Sequence, residues 1–300
     1  MLTSKEVAAA LGVSPKRARQ LLQQGRIPGA TKIGRDWLAP EPLRVIPGKR
    51  GPKPQAKSVA PTGRRQDFER LLETQRLIQR HFPECVLVGG TAAALHAGHR
   101  FSEDVDSVLT DLNSRFPQVL AKLEQLAGWQ TNRVQPPVLI LGSLQGVEVG
   151  IRQLVRSVPL ETQIMAGIVV PTLAEMLRIK GWLIVRRNAL RDFLDFCALA
   201  DKLGAGLEAA LEPFDRMYPQ PPDSDSTSQQ LAKQLAQPLP REFAAGKPPD
   251  LSMWKGLQPP WTDWTYVEAF CRALGGRLLD LALDLRWPPK EAPADAPPSS

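Results

Sequence analysis

Val86-Leu87-Val88-Gly89-Gly90-Thr91, followed shortly by Arg100-Phe101-Ser102-Glu103-Asp104-Val105-Asp106, is the stretch on which the reading of this chain turns. An apolar run ends at two glycines, residues 91–97 carry a helical pattern, and two carboxylates then open a second apolar run at 105–109. Strand residues two positions apart project to one face, so Asp104 and Asp106 can hold one or two divalent cations together. Gly89 and Gly90 carry no Cβ, which lets backbone N–H groups come close to a phosphate. A phosphate cradle beside paired carboxylates is the minimum equipment for metal-assisted nucleotidyl transfer.

Outward from that stretch, residues 68–81 form an amphipathic segment with Leu71, Leu72, Leu77 and Ile78 on one side. Residues 85–88 read as a buried strand, and 91–97 as a short helix whose N-terminus points at whatever the glycine turn binds. Residues 116–127 read as another amphipathic helix, and apolar runs follow at 134–141, 146–151 and 168–170. The middle run contains Glu148. A carboxylate in an otherwise apolar strand is costly unless paired or metal-bound, so Glu148 suits a third ligand beside the Asp pair.

The chain's 300 residues allow one large domain or two to three small ones. Its 29 prolines cluster at 40–61, 213–260 and 288–298, which read as linkers or tails. Cys85, Cys197 and Cys271 are far apart, odd in number and without metal-ligand spacing, which fits a reducing cytosol better than a disulfide framework. No run approaches the ~18 apolar residues of a membrane span and no signal-peptide pattern opens the chain, so the expectation is a cytoplasmic protein with no membrane partner. Charge is uneven: residues 1–65 hold 14 Lys and Arg against 3 Asp and Glu, while the whole chain carries only +7. A basic N-terminal module on a mildly acidic body suggests a nucleic-acid-binding unit, or a solvated basic arm.

Within that module, Thr3 can cap a helix over 4–11, with Glu6 completing a capping box. Ser14 can cap a second helix that has Pro15 in its first position. Val7, Ala8, Leu11, Ala18, Leu21 and Leu22 supply a shared apolar face, Gly25 ends the second helix, and 32–37 reads as a hairpin wing. The pattern Leu2-Thr3-x-Lys5-Glu6-Val7-Ala8-x-x-Leu11-Gly12-Val13-Ser14, then Gly25-x-Ile27-Pro28 and Ile33-Gly34-Arg35-x-Trp37, resembles the excisionase-type, MerR-related winged helix-turn-helix. The resemblance implies a second helix in the DNA major groove, with Lys16, Arg17, Arg19 and Arg35 as DNA contacts.

Gly89-Gly90-Thr91 with Gly98-His99-Arg100-x-Ser102-x-Asp104-x-Asp106 resembles the polymerase-β-type nucleotidyltransferases, most closely the abortive-infection toxins of the AbiEii type. Their downstream helical Lys and Arg-Asp-x-x-Asp motif correspond here to Leu177-Arg178-Ile179-Lys180, Arg187 and Arg191-Asp192-Phe193-Leu194-Asp195. Two departures are Glu148, where Asp is more usual, and Thr91 beside Gly-Gly rather than a Gly-Ser pair. The resemblance implies that Asp104, Asp106 and Glu148 hold Mg²⁺, with Glu148 also able to take the acceptor's proton. It further implies that Gly89, Gly90, Thr91 and Ser102 bind phosphate oxygens, that Lys180 and Arg187 neutralise the triphosphate, and that Asp192 orients Lys180. The two cations also lie on an apolar helix from which long side chains snorkel. Arg191 and Asp195, four apart, suit a helix ion pair. His96 and His99 are read as orienting the loop rather than binding metal.

Residues 205–217 read as helical, 218–250 as extended or partly disordered, and 265–285 as a helix following a tryptophan-rich cluster. The expectation is an α+β protein: a winged helix-turn-helix over 1–44, a basic Pro-rich linker over 45–66 and a nucleotidyltransferase with a mixed sheet over 67–204. A helical region over 205–287 and a tail over 288–300 complete it. The activity implied is Mg²⁺-dependent transfer of a nucleotide from an NTP to an RNA (tRNA) or protein acceptor, with DNA and an antitoxin as partners. The alternatives are a DNA-binding autoregulator with an idle nucleotidyltransferase fold and a small-molecule nucleotidyltransferase.

Overall fold

A computed structural model describes residues 2–23, 25–33, 36–45, 61–243, 247, 248, 250, 251, 254 and 256–283. The chain divides into two compact units, 1–58 and 59–300.

In the first unit, β1 (Leu2–Thr3) leads into α1 (Ser4–Ala10), then α2 (Pro15–Gln23), β2 (Thr31–Ile33) and β3 (Asp36–Ala39). The expected capping box is present: Thr3 accepts from the Glu6 N–H, while the Glu6 carboxylate accepts from the Thr3 N–H at 2.8 Å. The Ser14 hydroxyl accepts from the Arg17 N–H at the head of α2, and Gly25 follows α2 with φ +65°. Val7, Ala8, Ala18, Leu21, Leu22, Ile27 and Ala39 form the unit's own core. The wing is three-stranded, because β1 pairs with β3 alongside the expected hairpin.

The second unit opens with α3 (Pro61–His81), β4 (Val86–Val88), α4 (Gly89–Ala97), β5 (Asp104–Leu109) and α5 (Leu112–Glu124). Next come β6 (Trp129–Gln135), β7 (Leu139–Leu144), β8 (Val147–Gln153), β9 (Thr162–Met165) and β10 (Ile168–Pro171). Helices α6 (Leu173–Arg187), α7 (Leu190–Leu203), α8 (Leu207–Leu211), α9 (Phe214–Met217), α10 (Thr227–Ala236) and α11 (Trp264–Leu283) complete it. The sheet order is β4-β5-β8-β7-β6, with β5 and β8 parallel and the other neighbours antiparallel. Strand β5 alternates strictly: Val105, Ser107 and Leu109 are buried, which turns Asp104 and Asp106 to the opposite face. Strands β9 and β10 form a separate antiparallel pair.

Three expectations are corrected here. The apolar run 134–141 is not one strand but a hairpin, since Pro136-Pro137 offers no N–H to a ladder and the Val138 N–H turns back to the Gln135 carbonyl. Helix α3 begins at Pro61, inside the expected linker. Residues 218–250 contain α10, which opens with a Ser226/Gln229 capping box and buries Leu231, Ala232 and Leu235. Helices α10 and α11 share one core with the sheet. Their crossing is close enough that a Cβ on Gly275 would lie 2.4 Å from the Ala236 nitrogen. The sulfurs of Cys197 and Cys271, both free thiols, lie 3.2 Å apart in that core. The expected tail over 288–300 lies outside the described residues.

Candidate active site

The face of β5 that carries the two aspartates opens into a cleft of about 710 Å³. Gly89, Gly90, Ser102, Asp104, Asp106, Glu148, Lys180 and Arg187, all singled out from the sequence, line it. Arg100, Asn132 and Arg152, assigned no role from the sequence, line it too, as do Arg191, read there as half of a helix ion pair, and Trp254, read there as part of a tryptophan-rich cluster that is core or a partner- or acceptor-binding face.

Helix α4 begins at Gly89 itself, so the glycines form its first turn rather than a separate loop before Thr91. Val88 at its N-cap makes no side-chain cap, which leaves first-turn N–H groups open beside the cleft. Gly89 sits at φ +72°, and a Cβ there would lie 2.9 Å from Cβ of Asp106. Gly150, opposite Asp106 on β8, is as constrained: its Cβ would stand 2.5 Å from Asp106 Oδ1. The two glycines clear the volume that the Asp106 carboxylate occupies. The Ser102 hydroxyl donates to Asp104 Oδ1 at 3.0 Å, and Arg152 reaches Asp106 Oδ1 at 3.4 Å.

The three carboxylates expected to bind metal, Asp104, Asp106 and Glu148, all line the cleft. Parallel register sets Glu148 beside Asp104, yet its side chain is exposed and accepts from the Asn132 amide at 3.2 Å. No group of three His, Cys, Asp or Glu side chains able to hold a metal occurs among the described residues. The Asp pair nonetheless fits Mg²⁺, a hard cation that is commonly held by one or two carboxylates together with substrate phosphates.

Thr91, expected to bind phosphate, and Asp192, expected to orient Lys180, lie behind the cleft. Both are fully buried and neither lines the cleft. The Thr91 hydroxyl donates to the Asp104 carbonyl and so fixes the start of β5. Asp192 accepts from Arg187 Nε and Nη2 at 2.5 and 2.8 Å and lies 3.4 Å from Lys180 Nζ. It supports the two cations from beneath, which is the orienting position expected of it toward Lys180.

Asp195 has the largest role that sequence reading missed. It does not pair with Arg191 along its helix. Its buried carboxylate instead meets Lys180 Nζ at 2.7 Å, Arg100 Nε at 2.6 Å and His99 Nε2 at 2.7 Å. Burial alone would raise this carboxyl, but the Lys180 and Arg100 charges override it and hold it well below the usual carboxylate range. His96 meets the Pro171 carbonyl, so both histidines orient chain segments, as expected. Lys180 and Arg187 do not merely snorkel; buried acids pin both at the cleft wall. The signal for Asp195 was present in Phe193-Leu194-Asp195-Phe196-Cys197, where an acid sits in an apolar helical run.

Of the expected DNA contacts, Arg17 and Arg19 are exposed on α2 to either side of buried Ala18. The Lys16 side chain and Arg35 lie outside the described residues.

An α+β fold whose mixed sheet presents paired aspartates to a glycine-lined helix N-terminus and a cationic wall is that of a nucleotidyltransferase. Residues 70–266 match the family described as nucleotidyl transferase AbiEii toxin, type IV TA system, and the chain belongs to it. Residues 1–41 match a helix-turn-helix domain family. Among solved structures, JHP933 from Helicobacter pylori aligns with TM-score 0.41 and 16% identity, over 76% of this chain and 98% of that one. The antibiotic-resistance factor ANT(2'')-Ia aligns with TM-score 0.39 and 12% identity, over 51% and 94%. Among curated proteins, 119 residues are 37% identical to the heme uptake protein MmpL11 of Mycobacterium tuberculosis, covering 38% of this chain and 11% of that protein. The chain thus spans about a tenth of the length of that relative. No helix among the described residues is long and apolar enough to cross a membrane.

Proposed function

We propose that this nucleotidyltransferase acts in the cytoplasm, transfers a nucleotide from an NTP to an RNA acceptor such as tRNA with Mg²⁺, is restrained by an antitoxin, and binds DNA through its N-terminal module. The observation that carries the reading is the convergence of Asp104, Asp106, the uncapped α4 N-terminus, Lys180 and Arg187 on one cleft. Asp104 and Asp106 would hold the Mg²⁺, which when bound supplies charge neutralisation to the triphosphate. Ser102 and the N–H groups of Gly89 and Gly90 bind phosphate oxygens, and Arg187 and Lys180 offset their charge. Glu148, exposed at the cleft and next to Asp104, accepts the proton of the acceptor hydroxyl. Arg17 and Arg19 on α2 contact phosphates or bases of a duplex.

The test incubates the full chain with each α-labelled NTP, Mg²⁺ and total RNA. Label moves onto RNA, and Asp104→Ala and Asp106→Ala each abolish the transfer. Transfer that survives both substitutions, or label appearing only on protein or a small molecule, overturns the RNA-acceptor reading.

A further inference from the structure

The phosphate side of the cleft is built from glycines and charges, which leaves open what receives a nucleobase. Two aromatic residues line the cleft, Phe101 and Trp254. Phe101 is already packed against other parts of the chain. Gly256 packs so closely that a Cβ there would lie 2.2 Å from its Cδ2, and Phe68 meets it edge-on at 6.2 Å. Trp254 is different. Trp182 stacks on Tyr218, Trp261 meets Tyr266 and Phe270, Trp264 meets Phe243, and Trp129 donates to Thr131. Among the described residues, Trp254 makes no such ring contact or side-chain hydrogen bond; it is partly buried, packing against the core on one side while lining the cleft.

The chain around Trp254 is also tied to the loop between α4 and β5. The Gln258 N–H donates to the His99 carbonyl at 2.8 Å, and Leu251 and Leu257, on either side of Trp254, are buried in the core. His99 and Arg100 in turn hold Asp195. The backbone at Trp254 and Gln258 is thereby tied to the loop before β5, from a part of the chain some 150 residues further on.

We infer that Trp254 is the stacking platform for a nucleobase in this cleft, either that of the incoming NTP or that of the acceptor's terminal nucleotide. An indole face stacks on any base, binding it without reading its hydrogen-bonding edge. The inference rests on the nucleotidyl-transfer reading of the same cleft.

The experiment compares wild type, Trp254→Ala and Trp254→Phe in the full chain. Indole fluorescence is followed during titration with NTP–Mg²⁺, with RNA and, separately, with inorganic tripolyphosphate–Mg²⁺, which has no base. KM and kcat are measured for NTP and for RNA. Stacking of the incoming base predicts that NTP quenches wild type more than Trp254→Phe, while tripolyphosphate quenches the two equally; stacking of the acceptor base predicts that difference for RNA instead. Trp254→Ala raises one KM about tenfold or more with kcat little changed, and Trp254→Phe restores most of the loss. A rise confined to the NTP KM assigns the incoming base; a rise confined to the RNA KM assigns the acceptor base. Unchanged KM values for both substrates overturn the stacking role and leave nucleotidyl transfer intact. So does a kcat loss without a KM change, or a loss that phenylalanine fails to restore. Absence of NTP binding by wild type overturns the underlying reading and this inference with it.

Discussion

Replacing Asp195 by asparagine preserves its shape and one acceptor oxygen while removing a charge that buried Lys180 and partly buried Arg100 share. Lys180 and Arg100 lie 2.7 and 2.6 Å from the carboxylate, and the side chains of Asp195 and Lys180 are 0% and 2% exposed. After the change, Lys180 keeps only Asp192 at 3.4 Å, which Arg187 already holds in a bidentate grip. Breaking a buried ion pair on one side costs about 3–5 kcal/mol, because the remaining charge stays desolvated and uncompensated. A domain of this size shifts its midpoint by about 2–4 °C per kcal/mol, so Asp195→Asn lowers Tm by on the order of 10 °C. Denaturant melts followed by circular dichroism, compared at equal slope, measure the loss directly. A loss below about 1 kcal/mol would refute the argument that Asp195 neutralises both cations.

The same carboxylate sets a pH dependence. Its folded-state pKa is depressed, so its contribution is complete above the unfolded value of about 3.9 and disappears as pH falls through the lower folded-state value. Wild type therefore loses stability on acidification below about pH 4 more steeply than Asp195→Asn, as melts across pH 2–6 will show. Gly150→Ala drives a Cβ into Asp106 Oδ1 and displaces that carboxylate, so single-turnover label transfer falls by about 100-fold. Unchanged transfer would mean that Asp106 is not held where the structure puts it. Arg17→Ala and Arg19→Ala each reduce the slope of log affinity against log salt for DNA by about 1, readable by fluorescence anisotropy. Thr3→Ala removes the α1 cap and destabilises the helix-turn-helix unit by about 1 kcal/mol in thermal melts.

Residues whose chemistry is local were legible from the sequence. Thr3 with Glu6, and Ser14 with Pro15, announce their helices because a cap needs only its own next three residues. The strict alternation around Asp104 and Asp106 fixed which face of β5 they share. Glu148 stood out as a carboxylate in an apolar strand, but only the parallel register shows that it lies beside Asp104, and only the fold shows that it meets the Asn132 amide. Arg191 and Asp195 read as a helix pair because four-residue spacing is the only relation a linear sequence exposes. The competing partners, His99, Arg100 and Lys180, come from segments brought together by packing. Thr91 looked like a phosphate binder because it follows two glycines, yet starting α4 at Gly89 turns its hydroxyl inward to the Asp104 carbonyl.

The hub at Asp195 also bears on the order in which the protein is made. Arg100 and Lys180 leave the ribosome before the carboxylate that neutralises them, and Trp254 emerges later still. A nascent chain that stops short of residue 195 holds the glycines and both aspartates of the cleft, with two cations lacking the acid that positions them. The cationic wall of the cleft is therefore set only once α7 has been made and packed.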